Sequence, residues 1–512
     1  MRPWSHPILS CEDSLSFEKR HLTSTDAEQE AMERAGRSLG LAIVEELGRR
    51  LGEAPRILLL LGKGHNAGDA LIATLELLNY KPNARVEVIL CFEEKSFAPH
   101  VRSYFKSLVS HANVRVFREE FNALKGAVVG CFDLSIDGVF GMQFKPPLRG
   151  HFPEFFEWIN GLDIGVRVAV DLPSGLSEEG NELVLRADYT FATGILKMPL
   201  VEEKNRSYIG RLRYLDIGFF DSAEGDVIDS ELRVLAPEIL LRERKLRSVV
   251  TDKRSYGHLL IVAGSRLMPG AMMMAVEAAI RSGVGLITVL APESVTGHAS
   301  TQLPEAMWVP WPETEDGFLA LEGVHDLRQF DGKITAVLMG PGLGKGPETQ
   351  ALLDEIIKRF DMPFVVDADA ISRARLEMMV SVGRKGVFTP HHGEYRRLAD
   401  VAADEEVTWE HAQSAFSDCG QTVVLKGPHT CVVHEGGNWI SPYGGPVLAR
   451  GGSGDLLAGL IAGKVANPHY LSILEATCAG VAVHGRAGDK LSSVSDENHL
   501  RTTQILDHLN LL

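Results

Sequence analysis

HLLIVAGSRLMPGAMMMAVEAAIRSGVGLITVLAP, residues 258–292, sets the fold class of the sequence around it. It opens on an apolar run closed by Gly264 and Ser265. It continues through an Ala/Met-rich helical stretch, 271–282, and ends on a second apolar run, 285–292. Short apolar runs bounded by glycine read as buried strands. Two of them joined by a helix make a crossover unit, so the sheet is parallel and the class is α/β.

The same alternation extends both ways. Towards the C-terminus come AVLMGPGLG (336–344), FVVDADA (364–370), GVFTPHHGE (386–394) and TVVLKG (422–427). Towards the N-terminus, RILLLLG (56–62), VEVILCF (86–92), VVGCFDLSID (128–137) and VRVAVDL (166–172) read as strands, with helical spacing over 26–50 and 69–79. A chain of 512 residues exceeds one ordinary core. The charge-rich stretch 221–245 follows a completed α/β pattern and is expected to be a linker, with the boundary near 240. The expected domains are 1–220 and 246–512.

The formal net charge of -16 argues against nucleic acid or an anionic membrane as partner. It leaves room for phosphates, which backbone amides and helix N-termini can hold. No apolar run reaches the ~18 residues of a membrane span, and the first twenty residues lack a signal-peptide core. Six scattered cysteines show no zinc spacing and read as reduced core thiols. A cytoplasmic location is expected.

The chemistry sits where strands end, the edge at which open α/β sheets bind ligands. In ARGGSGDLLAG (449–459), Gly451, Gly452, Ser453 and Gly454 run into a helix. Such backbone offers unpaired amides and a helix dipole to a phosphate. Asp455, at the mouth of that anion hole, suits a general base towards a hydroxyl meeting a phosphoryl group. A capped glycine turn is the plain alternative. LKGPHT brings Lys426, Gly427, Pro428, His429 and Thr430 to a second strand end, suited to nucleotide phosphate or ribose. TPHHGE adds His391 and Glu394, GPGLG adds Gly342, and DADA adds Asp367 and Asp369, the latter a candidate helix cap.

These strings, with AGSRLMPGA, SGVGLITV, LPEAM and HGRAGD, occur in the order of the ADP/ATP-dependent NAD(P)H-hydrate dehydratases, which residues 246–512 resemble. The resemblance implies a ribokinase-like α/β domain. It implies phosphorylation of the hydrated nicotinamide's hydroxyl by ADP or ATP with Mg2+, then loss of phosphate. Asp455 would be the base, with Ala271, Gly342 and His391 at the hydrate. Lys426 to Thr430 and Gly454 would hold the adenine nucleotide. The family's Lys-Gly pair before the first strand is Lys253-Arg254 here.

The first half carries GKGHNAGDA (62–70), DGVFG (137–141) and AVDLPSGL (169–176), each at a strand end, and PPLRG (146–150) completes the set. The glycine spacing of 62–70 is not that of the dinucleotide-binding fingerprint. Together with AMERAG (31–36) and Lys197, these strings resemble the NAD(P)H-hydrate epimerases, a Rossmann-like three-layer α/β/α domain. The resemblance implies a potassium ion held by Asn66, Asp137 and Ser174. It places His65, Asn66, Ala67, Gly68 and Asp69 at the hydrate, with Gly141, Met142, Gln143, Phe144, Lys145, Pro146 and Pro147 opposite. Asp171 would be the acid/base. The family loop Asn-Asn-Gly-Gly-Asp-Gly is here His65-Asn66-Ala67-Gly68-Asp69-Ala70, and alanine is costly wherever a positive φ is needed.

The expectation is repair of hydrated NADH and NADPH by a homo-oligomeric enzyme of two activities. The alternatives are a small-alcohol kinase of the same fold, or a dehydratase whose first half no longer catalyses.

Overall fold

The computed structural model describes residues 3–511 except 119–120, 181–182, 222–227, 229, 403–404, 406 and 417–418. The chain divides into two units, Met1–Ser230 and Glu231–Leu512.

The first unit contains β1 (Ser5–Leu9), β2 (Arg56–Leu61), β3 (Arg85–Leu90), β4 (Val114–Phe117) and β5 (Phe132–Gly138). It continues with β6 (Ile164–Val170), β7 (Tyr189–Thr193), β8 (Leu196–Lys197) and β9 (Arg211–Leu215). The main sheet runs β4-β3-β2-β5-β6-β7-β9, with every neighbouring pair parallel. β1 pairs with β8. Alternate residues of β2 face opposite sides. Ile57, Leu59 and Leu61 pack with apolar residues of the helices Thr25–Leu47, His65–Tyr80 and Pro99–Val109. Leu58 and Leu60 pack with those of Phe121–Ala127 and Phe152–Asn160. Helices therefore cover both faces, giving three layers.

One boundary differs from the sequence reading. The helix expected from 69 starts at His65, so the glycine-poor loop is its first turn. Ala67 and Ala70 are helical and fully buried, and neither is among the positive-φ residues. Alanine suits a helix better than glycine does.

The second unit contains β10 (Leu232–Leu235), β11 (His258–Val262), β12 (Leu286–Pro292), β13 (Met307–Trp311) and β14 (Ala336–Met339). Then come β15 (Phe364–Val366), β16 (Gly386–Phe388), β17 (Thr422–Leu425), β18 (Cys431–His434) and β19 (Gly437–Ile440). Its strands run β13-β12-β11-β14-β15-β16-β17-β18-β19-β10. Pairing is parallel from β13 to β17 and antiparallel at β17–β18 and β18–β19. The stretch 221–245 is not simply a linker. Leu232–Leu235 pairs in parallel with β19, and Glu238–Leu241 is helical. Buried Leu232 and Val234 supply the strand's inward face, which the surrounding charges conceal in the sequence. Residues 222–227 and 229 of that stretch lie outside the described residues.

The helix Ser453–Ala466 packs against Pro269–Arg281 so closely that a Cβ on Gly459 would lie 2.1 Å from the Ala275 carbonyl oxygen. This contact holds the two helices close together. Among the described residues, no helix is long and apolar enough to cross a membrane. All six cysteines are free. Cys91, Cys431 and Cys478 are buried, but Cys131 is exposed and is no core thiol.

Candidate functional site

In the second unit, strand order reverses between β11 and β14, and the motif residues collect at the strand ends there. Gly340–Gly344 follow β14, Asp367 follows β15 and Thr389–His391 follow β16. Residues 426–430 form the turn between antiparallel β17 and β18. Gly342, at φ 65°, approaches Ala271: a Cβ there would lie 3.2 Å from that of Ala271 and 2.4 Å from the Met268 carbonyl oxygen. Two of the three residues expected at the hydrate therefore adjoin.

Gly452 caps the helix Ser453–Ala466 at φ 88°, and no side chain bonds its first amides. The Ser453 amide turns back to the Arg450 carbonyl at 3.2 Å, and those of Gly454 and Asp455 are open to an anion. A Cβ on Gly454 would sit 3.3 Å from Lys426 Nζ, which places the ammonium over this turn. Lys426 also donates to Asp367 Oδ1 at 3.0 Å, and Thr389 Oγ1 donates to the same oxygen at 2.7 Å. Asp455 lies in the first helical turn. Burial pushes its carboxyl up to about 7, with Asp367, Asp369 and Glu394 adding to the rise and Lys426 opposing it. Ser453 Oγ lies 3.3 Å from His484 Nε2, and burial, assisted by Lys426, holds that imidazole down at about 4.

Three residues have structural duties that sequence reasoning did not assign. His391 Nδ1 accepts from the Gly393 and Glu394 amides, and Glu394 returns a bond to the His391 amide, closing a capping box. Its ring is 59% exposed, so capping leaves its outer edge accessible. Asp369 does not cap the following helix. Ser372 does, and Asp369 Oδ2 accepts from the Gly344 amide at 3.0 Å. Thr430 Oγ1 donates to the Gly427 carbonyl, bracing the turn that also carries Pro428 and His429.

In the first unit a cavity of about 600 Å³ opens over the strand ends at the order reversal between β2 and β5. His65, Asn66 and Asp69 line it from the helix start, Gly141 to Lys145 from the loop after β5, and Asp171 from the end of β6. Ala67, Gly68, Pro146 and Pro147, also expected at the hydrate, are not among its lining residues. Gly68 turns towards the helix Thr25–Leu47, where a Cβ would meet Met32 Sδ at 2.2 Å. Helical phase explains this division, since only part of the first turn can face a cavity.

Asp171 adopts φ 64° and accepts from Lys197 Nζ at 2.5 Å and from the Thr193 amide at 3.3 Å. Lys197 is 1% exposed. Burial would lower its basicity, but Asp171 and Glu18 outweigh that and raise it. Asp69 Oδ1 is buried without a partner, and burial, then Asp171 and Glu18, push its carboxyl well up. Glu18 and Thr193 also line the cavity. Neither carries a motif, and Glu18 arrives from a helix some 150 residues before Asp171 in sequence, so local reading had no signal for it.

Asn66, Asp137 and Ser174 meet beside this cavity. Ser174 Oγ donates to Asp137 Oδ1 at 2.6 Å, and the Ser174 and Val139 amides donate to the same carboxylate. Asn66 Nδ2 bonds the Phe140 and Val170 carbonyls, both at 3.0 Å. Asp137 is fully enclosed by neutral partners, and burial lifts its carboxyl to about 6 despite their hydrogen bonds.

Comparison with known proteins matches both units. Residues 259–510 match the family described as NAD(P)H-hydrate dehydratase, and residues 28–198 the YjeF-related protein N-terminus. The chain is 35% identical over 481 residues to the bifunctional NAD(P)H-hydrate repair enzyme Nnr of Gloeobacter violaceus, covering 90% of this chain and 89% of that one. It is 30% identical over 511 residues to the bifunctional NAD(P)H-hydrate repair enzyme Nnr of Coxiella burnetii, covering 97% of each. Among solved structures, the ADP/ATP-dependent NAD(P)H-hydrate dehydratase from Bacillus subtilis, co-crystallized with ATP/Mg2+, is 28% identical with a TM-score of 0.45, covering 52% of this chain and 92% of that one.

Proposed function

Because this chain belongs to the bifunctional NAD(P)H-hydrate repair enzymes, we propose that its second unit dehydrates hydrated NADH and NADPH at the expense of ADP or ATP, and that its first unit interconverts the two hydrate epimers. The observation that carries the dehydratase reading is Asp455: a half-buried carboxyl, raised to about 7, beside open helix amides and the Lys426 ammonium. Near neutrality it can accept a proton from an alcohol about to be phosphorylated.

The substrate hydroxyl gives its proton to Asp455 while its oxygen bonds the terminal phosphorus, whose bond to the nucleotide's bridging oxygen breaks. The open amides of this turn stabilise the charge on the transferring group, and Lys426 neutralises part of it. The phosphate then leaves the ring carbon, the adjacent carbon loses a proton, and the ring double bond returns. Asp367, Asp369 and Glu394 crowd negative charge around Asp455. Their oxygens do not gather into one metal-holding group, so a magnesium ion would arrive with the nucleotide and would supply further neutralisation of its phosphates.

In the first unit, Asp171 moves the proton during epimer exchange and Lys197 holds it in place. Asn66, Asp137 and Ser174 offer oxygen ligands, and the uncompensated Asp137 fits a monovalent cation such as potassium. The ion would neutralise Asp137 and firm the turn after β5.

The test is incubation with ADP or ATP and hydrated NADH, followed by the return of NADH absorbance. Asp455→Asn is expected to lower the rate by roughly 10²–10⁴-fold, the usual worth of a general base. A stable phosphorylated product, with no NADH regained, would overturn the dehydratase reading in favour of an alcohol kinase.

A further inference from the structure

Hydrated NADH is a dinucleotide, and the cavity around Asp171 opens at the order reversal between β2 and β5 and extends on one side of it over the ends of β6 and β7. On the other side, over the ends of β3 and β4, the first unit has a second cavity of about 770 Å³. Its base is the end of β3, Leu90 and Cys91. Phe121 and Phe155 line it as apolar rings, and Glu93, Glu94 and Arg118 add charge. Phe121 stands 5.9 Å, centroid to centroid, from each of Phe155 and Trp158, edge-on in both cases. A flat aromatic ligand would extend this cluster.

The two cavities share a wall. Phe92 borders both, and Lys63 Nζ stands 5.3 Å from the centre of its ring. Beside Lys63 the sixteen-residue helix His65–Tyr80 starts with no side-chain cap. A cation beside the ring that both cavities share, next to a helix start in the polar cavity, supplies the parts a dinucleotide's pyrophosphate would need.

We propose that the cavity over β3 and β4 seats the adenosine half of the hydrated dinucleotide, with the pyrophosphate passing Lys63 and the start of the His65 helix. The inference rests on the epimerase reading of the first unit. β3 pairs directly with β2, the strand that leads into this helix. In doubly wound sheets a carboxylate at the end of that neighbouring strand bonds the adenosine ribose. Glu93 and Glu94 occupy that place. Glu94 lies 3.6 Å from Arg118, and Glu93 pairs with Lys95. A carboxylate there accepts from a ribose hydroxyl, and Arg118 beside it leaves room for a 2′-phosphate, so the site takes both hydrated NADH and hydrated NADPH.

The experiment compares epimer exchange by the full chain on hydrated NADH, hydrated NADPH and the hydrated reduced mononucleotide, which lacks adenosine. Stacking on an aromatic ring commonly supports about tenfold or more in affinity. The mononucleotide should therefore show kcat/KM lower by about tenfold than hydrated NADH. Phe121→Ala should lower kcat/KM for the dinucleotide by a similar factor and leave the mononucleotide unchanged. Glu94→Ala should lower kcat/KM for hydrated NADH and leave the mononucleotide unchanged. Equal use of mononucleotide and dinucleotide by the wild type, or equal loss on both in Phe121→Ala, overturns the proposal. A crystal of the full chain soaked with ADP-ribose gives an answer independent of catalysis. An adenine ring over β3 and β4 supports the site, and its absence from that cavity overturns it. Failure to exchange any hydrate would overturn the epimerase reading, and the soak would still decide the adenosine site.

Discussion

At Asp455 chemistry and stability pull apart. A carboxyl raised to about 7 by burial and neighbouring charge binds its proton more tightly in the folded chain than in the unfolded one. The sign follows from linkage. Between the usual carboxyl range and about pH 7 the native state holds the extra proton, so this group's contribution falls as pH rises, and the loss is complete above about 7. A neutral amide does not titrate. Asp455→Asn should thus unfold at a higher temperature than wild type at pH 8, by roughly 2–4 kcal/mol of stability, with the difference vanishing near pH 4. Paired thermal scans at the two pH values measure it. A variant no more stable than wild type at pH 8 would show that the carboxylate is not strained there. The glycines ahead of Asp455 made this site legible in the sequence, but Asp367, Asp369, Glu394 and Lys426 converge on it only through the sheet. The rise in its pKa was therefore not legible.

At the scale of elements, the apolar strands β2, β3, β11 and β14 could be read because both faces are buried and the run is unbroken. β9 escaped notice because Arg211 and Arg213 alternate along it. Arg213 is buried against Glu46, Nε to Oε1 3.0 Å, a pairing 167 residues long-range. The helix start at His65 escaped for another reason: the loop was judged by the glycines it lacks. Buried and helical, Ala67 and Ala70 follow from the geometry, and a Cβ on the neighbouring Gly138 would meet Ala70 Cβ at 2.7 Å. Restoring the family's glycines, Ala67→Gly with Ala70→Gly, should cost about 1 kcal/mol each and speed amide exchange along His65–Tyr80 without raising epimerase rates. A severalfold gain in epimer exchange would instead show that the alanines had impaired a working loop.

For the whole molecule, two units that each bear a site raise the question of what one contributes to the other. The division of labour predicts a defined pattern with a mixture of hydrate epimers. Wild-type chain with nucleotide should return all of it to NADH. Asp171→Asn should return one epimer at the wild-type rate and leave the rest to slow spontaneous exchange. Asp455→Asn should return none, yet still equilibrate the epimers. The hydrates are small and free to diffuse, and a released epimer reaches a second protein molecule at ordinary association rates. Mixing the two variants should therefore restore full conversion, at a rate rising with the concentration of each. Chromatography of the epimers alongside NADH absorbance follows both steps at once. If each variant keeps its remaining activity but the mixture stalls after one epimer, the intermediate does not leave the chain that made it, and the two sites must be treated as one catalytic device.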